Sequence, residues 1–244
     1  MVYCSLLLTV FLLLAGCASK PLPPIERMQL SDHSYESWQI VVLPGKRKTH
    51  FAADQREGAH AWRATADHSA SLLRKVVRIE APALEKIHFS WKTHALIDGA
   101  DMAVRDTEDA VLRVILSFEG DRNQFSAKNR MLSELSLALT GEEMPYATLM
   151  YVWCNKRPVG TVITNPRTDR IRKLVVESGR SHLGKWLEYE RDIRADFIQA
   201  FGEEPGALTG IALMTDTDNT QTQATAWYGP IHFKPSLNKT SLAP

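Results

Sequence analysis

Oxygen-bearing side chains crowd one short stretch of this 244-residue chain, Asp216-Thr217-Asp218-Asn219-Thr220. Carboxylates and an amide packed into a loop are the donors that hard cations prefer. Asp216, Asp218 and Asn219 are therefore candidate ligands for a structural Ca²⁺. The spacing departs from an EF-hand loop, with Gln221 where Gly is required and Trp227 where the closing Glu is required. The competing reading is a turn whose Asp and Asn side chains accept hydrogen bonds from nearby backbone N–H groups. Asp192 and Asp196 form a second carboxylate pair. Two such groups do acid–base work when their pKa values are pushed apart; otherwise they cap a helix or pair with Arg191 and Arg194. Gly179-Arg180-Ser181-His182-Leu183-Gly184-Lys185 nearly spells a phosphate loop. Trp186 follows it, however, leaving no hydroxyl for Mg²⁺, and the chain continues as a strand. The eight His residues include no pair at HxH or HxxxH spacing, and no Gly-x-Ser-x-Gly elbow is present.

Aromatic residues offer a different chemistry. Flat rings beside polar groups hold sugars by apolar stacking and fixed hydrogen bonds. Of Trp62, Trp91, Trp153, Trp186 and Trp227, Trp153 lies in an apolar run and reads as core. Trp91 and Trp186 each adjoin a lysine, Lys92 and Lys185. With Asp101, Arg113, Arg191, Asp192 and Asp196 they are the candidate lining of a ligand cleft.

The N-terminus addresses the chain. Ser5 to Leu14 is apolar and too short to span a bilayer, which takes about 20 helical residues. It matches the apolar region of a secretory signal. Leu14-Ala15-Gly16-Cys17 follows, resembling the lipobox of bacterial lipoproteins, although Met1 to Cys4 lacks the usual Lys or Arg. That resemblance implies cleavage before Cys17 and acyl chains on it, and two or more chains anchor stably where one does not. Ala18 and Ser19, with no Asp, imply sorting to the outer membrane, facing the periplasm. The reading is thus a signal peptide over 1–16, lipidated Cys17 and a Pro-containing tether over 17–34, a single domain over 35–234, and a polar tail over 235–244. Cys154, in the apolar run Leu149 to Cys154, has no partner once Cys4 is cleaved off and Cys17 capped, so it reads as a buried thiol. A formal net charge of +1 gives no reason to expect a nucleic-acid partner.

The elements that must position these residues are short and strand-like. Trp38 to Leu43, Leu73 to Glu80, Ile87 to Thr93, Val111 to Phe118, Leu149 to Cys154, Val159 to Thr164, Leu174 to Glu177, Leu208 to Met214 and Ala224 to Phe233 alternate or run apolar between turn residues. Leu187, Tyr189 and Ile193 share a face. Val111 to Phe118 is nearly all apolar, as a strand covered on both faces would be. Two segments have helical spacing, Asn129 to Leu139 before Gly141 and Ala195 to Phe201 before Gly202. The expected fold is all-β, a jelly-roll-like (galactose-binding-like) sandwich with one or two short helices.

Several blocks resemble a known family. They are Tyr151-Val152-Trp153-Cys154-Asn155 with Pro158, Gly160, Asn165 and Pro166; Val176-Glu177-Ser178-Gly179, Gly184-Lys185-Trp186, Arg191-Asp192, Asp196 and Ala200-Phe201-Gly202; and Gly210 to Thr220 with Ala226-Trp227-Tyr228-Gly229. Together with Phe89-Ser90-Trp91-Lys92, Ala100-Asp101 and Arg113 they look like DUF3047, a domain of exported bacterial proteins. The acidic pair before the central strand is Glu108-Asp109, and Pro230 stands where an acidic residue is expected after Tyr-Gly.

Three functions fit these features. The first is a lipid-anchored, non-catalytic module binding a glycan, peptidoglycan included. The second is an envelope polysaccharide hydrolase or lyase using Asp101, Arg113, Asp192 or Asp196. The third is a structural lipoprotein with a protein partner.

Overall fold

The computed structural model describes residues 37–56 and 58–234. The signal segment, Cys17, the tether and the tail from Pro235 lie outside the described residues. Thirteen strands are described: β1 (Gln39–Val42), β2 (His50–Arg56), β3 (Ala59–Asp67), β4 (Ser71–Ile79), β5 (Lys86–Thr93), β6 (Ala110–Phe118), β7 (Ala147–Cys154), β8 (Val162–Thr164), β9 (Ile171–Ser178), β10 (Leu187–Asp192), β11 (Leu208–Asp216), β12 (Gln223–Tyr228) and β13 (His232–Lys234). Two helices, α1 (Ala127–Thr140) and α2 (Ile193–Phe201), interrupt them.

The strands form two sheets packed face to face. The larger has seven strands in the order β1-β4-β11-β6-β7-β9-β8, and the smaller runs β10-β5-β12-β3-β2 with β13 also pairing β5. Named strands pair antiparallel except β7 with β9. The expected β-sandwich is therefore the observed one.

Alternation explains the layers. On β5, Ile87, Phe89 and Trp91 point between the sheets, where they meet Val114, Leu116, Leu149, Tyr151, Leu213 and Tyr228. Phe89 stacks on Tyr151 at 5.5 Å and meets Trp91 edge-on at 5.1 Å. The other face of the large sheet is also apolar, through Ile115, Met150, Val152, Cys154, Val175 and Ala212, with Met102 from the loop before β6 packed on them. This double burial is why β6 and β7 read as unbroken apolar runs. Cys154 is buried there, as its context implies.

Both helices end as the sequence indicates, on Gly141 (φ 76°) and Gly202 (φ 73°) in the left-handed conformation. The α1 apolar stripe, however, faces outward: Met131, Leu135 and Leu139 are exposed, while Asn129 and Ser133 are buried. The inward side sits on polar ground, where Asn129 donates to Asp169 and accepts from Thr168. Ile193, which the sequence groups with the β10 face, instead opens α2. Val159 to Gly160 lies before β8 rather than within it. Ala224 to Phe233 is two strands, broken at Gly229-Pro230. Strands β2 and β3 have no apolar run to announce them, because their inward positions include the small Ala64 and Ala66.

Candidate functional site

The outer face of the small sheet carries a row of side chains built by register alone. Trp227 on β12 pairs with Lys92 on β5 and with Arg63 on β3. Each alternates with core residues (Ala226 and Tyr228, Trp91, Trp62 and Ala64), so all three project away from the sandwich interior. Leu187 on β10 pairs with Trp91, and Gly184 donates its N–H to Thr93 O at 2.8 Å. Trp186 therefore stands beside Lys92, on the same outer face. The row reads Trp186, Lys92, Trp227, Arg63 across four strands, about 15 Å at the usual strand spacing. Alternating indoles and cations is a favourable order, since a cation attracts an aromatic face.

The row is held rigidly. Trp227 donates its indole N–H to Asp54 Oδ2 at 2.9 Å, and His94 meets its ring edge-on at 5.3 Å. Gly229 lies directly beyond, and a Cβ there would come 2.0 Å from Ser90 Oγ, so only glycine lets the chain pass. A cavity of about 230 Å³ opens beside the row, lined by His94, Ala95, Leu96, Gln223, Ala224, Thr225 and Trp227. Its mouth is exposed at His94, Ala95 and Gln223, and its floor is Trp227, only 4 % exposed. The volume is below the roughly 300–1,000 Å³ that encloses drug-sized ligands, and it suits one small ring held against an aromatic floor. Two buried donors in the row have no acceptor, the Trp186 indole N–H and Arg63 Nε. Leaving such a group unsatisfied costs about 1–3 kcal/mol.

Of the sequence-derived site residues, Lys92 and Trp186 belong to this row. Trp91 does not: it is 0 % exposed, wedged between Phe89 and Tyr189 in the inter-sheet core, with no face for a sugar. Asp101 is engaged by Arg157 and Lys156 near the loop before β6, and Arg157 holds its carboxyl down at about 2. Asp192 caps α2 by accepting from Ala195 N at 2.9 Å. Asp196 is clamped by Arg191 Nε and by the Tyr151 hydroxyl, both at 2.9 Å. The pair raises the Arg191 pKa, and burial pushes the Tyr151 hydroxyl well up. Arg191 and Asp196 thus pin α2 to the sandwich. Sequence reasoning missed Arg63 and His94 and left Trp227 out of the cleft.

Arg113 lies on the far side of the large sheet, inside a buried ionic cluster. It bridges Asp216 at 2.9 Å and donates to Glu108 O at 2.6 Å. Glu108 also receives Lys173 at 2.6 Å, Asn165 at 2.6 Å and Arg167 at 2.7 Å. Burial and neighbouring Arg113 push the Lys173 ammonium down to about 8, and burial raises the Asp216 carboxyl to about 7. Carboxylate oxygens of Asp109, Asp216 and Asp218 lie within 4.8 Å of one another, so the acidic loop does converge, with Asp109 in the place expected for Asn219. Each carboxylate is already engaged. Asp109 accepts from Asn219 N, Thr220 N and Thr220 Oγ1, Asp216 from Ala110 N, and Asp218 from Lys46. Asn219 turns its amide away to Arg105 O.

With fold and site in hand, the chain was compared with known proteins. The model of the family described as "Protein of unknown function (DUF3047)" matches residues 36–232. The chain belongs to DUF3047. No curated protein matches it. Among solved structures it is similar to the family 11 carbohydrate-binding module of a cellulosomal cellulase of Clostridium thermocellum (8 % identity, 86 % of this chain and 94 % of that one, TM-score 0.44). It is also similar to the xyloglucanase domain of a type three effector from Sinorhizobium fredii in complex with cellobiose (8 %, 82 % and 93 %, 0.44). The chemistry of this DUF3047 site comes from its own residues.

Proposed function

We propose that this DUF3047 protein is a lipid-anchored envelope protein that binds a glycan through the outer face of its small sheet, without catalysis. The observation that carries the reading is the rigid Trp186–Lys92–Trp227–Arg63 row with the adjoining aromatic-floored cavity. Rings fixed before the ligand arrives cost little ordering entropy on binding. Gln223, Thr225 and His94 supply polar groups around the ring position. The carboxylates first considered for acid–base work are committed to ion pairs or a helix cap, which favours binding over turnover.

The test is a glycan array that includes peptidoglycan fragments, probed with the full chain and with His94→Ala and Gln223→Ala. Both replaced residues are exposed, so neither change threatens the fold. A saturable signal that each variant weakens supports the proposal, and silence across the array sinks it. Anchoring through acyl chains on Cys17, and delivery to the outer membrane, belong to the same proposal. Labelling with radioactive palmitate should vanish in Cys17→Ser, and label retained in that variant would refute the anchor.

A further inference from the structure

We infer that the row selects acidic polysaccharides, binding the carboxylates of successive uronic-acid residues along a chain laid across the strands. The inference rests on the glycan-binding reading above and names the ligand class for that site. Its first support is the charge of the row. Arg63 and Lys92 lie within it, and Lys185 is exposed beside Trp186 at one end. The acidic side chain in their midst, Asp54, is engaged by the Trp227 N–H. Glu188 and Glu190, further along β10, face His88, Lys86 and Lys234 instead.

The second support is the pair of donors that lack acceptors. Arg63 Nε lies at one end of the row and the Trp186 indole N–H at the other, three strand spacings apart. Both belong to partly exposed side chains, so a small rotamer shift opens them to a ligand. Acceptors needed at two separated points call for a polymer that repeats its acceptor, not one terminal sugar. At Arg63 the open edge is the Nε side of the guanidinium, whose two parallel N–H groups match the planar oxygens of a carboxylate. The indoles between the ends meet the apolar faces of the intervening rings.

The test is affinity electrophoresis of the full-length protein in detergent, through gels containing polygalacturonate, its fully methyl-esterified form, or dextran sulfate. Polygalacturonate should retard the protein at least tenfold more strongly than the ester, and raising salt from 50 to 300 mM should weaken that several-fold. Arg63→Gln and Lys185→Ala should each lose three- to tenfold on polygalacturonate and nothing on the ester. Lys185 is exposed, so its variant keeps the test sound should Arg63→Gln fail to fold. Equal retardation by acid and ester, or retention by dextran sulfate alone, overturns the inference while leaving glycan binding standing. Silence toward these polymers and toward every glycan of the array overturns both.

Discussion

Replacing Trp91 and Trp186 separates packing from recognition. Trp91 is fully buried against Phe89 and Tyr189, and its N–H makes no hydrogen bond of ordinary geometry, the nearby Tyr189 hydroxyl being a marginal acceptor. Trp91→Phe removes about 40 Å³, which at about 24 cal/mol per Å³ costs about 1 kcal/mol. The lost apolar contact costs about another 1 kcal/mol. Removing a buried N–H that has no acceptor returns about 1–3 kcal/mol. The net change should therefore lie within about 1 kcal/mol of zero, whereas Trp91→Ala should cost about 3–5 kcal/mol. Neither change touches the outer row, so glycan retention by folded protein should match wild type. Trp186→Ala should do the reverse, costing only about 1–2 kcal/mol because the ring is half-buried and abolishing retention. Urea unfolding followed by circular dichroism gives the first quantity, and affinity electrophoresis the second. If Trp91→Phe costs more than about 3 kcal/mol, the N–H is satisfied after all and the offset is wrong. If folded Trp91→Phe loses the ligand, the core assignment of Trp91 is wrong.

Three other outcomes follow from the same contacts. Asp196→Asn should destabilise by about 2–3 kcal/mol, below the 3–5 of a fully buried pair because Arg191 is partly solvated; unchanged urea midpoints with lost ligand would make Asp196 functional. Burial raises the folded pKa of Asp216 from its ordinary 3.8 to about 7, so its contribution to stability is complete below about pH 4 and is lost as pH rises through 7. The difference in unfolding free energy between wild type and Asp216→Asn should change across that window, and a flat difference from pH 4 to 7 would contradict it. Millimolar Ca²⁺ should leave the Tm unchanged, because Lys46, Arg113 and backbone N–H groups already hold the three carboxylates; a rise of several degrees would show the cation displacing Lys46.

The strand periods that made the sandwich legible also bear on the site, and one part of the sequence reading conflicted with them. Ile87, Phe89 and Trp91 were assigned to one face of a strand, so Lys92 has to point to the other. Placing Trp91 and Lys92 in one cleft ignored that alternation, and the structure divides them between the core and the outer face. The row itself had no local signature. Arg63, Lys92, Trp186 and Trp227 become neighbours only through pairings between strands far apart in sequence, and register is set by packing that a single sequence does not display. Strand β3, which supplies Arg63, was hidden because its inward positions include alanines while Arg63 and Thr65 face out. Lys173 was invisible for the opposite reason: a lysine just before an apolar run reads as a strand end. Here it is 0 % exposed, satisfied by Glu108 and by Met102 O under the loop that closes the second core. Buried charge of that kind is tolerated only where every partner is present. Glu108, Asn165 and Arg167 therefore have to be kept together for the large sheet to hold its outer layer. That requirement accounts for the acidic pair before β6 and for the Asn165-Pro166 block without giving either a role at the ligand face.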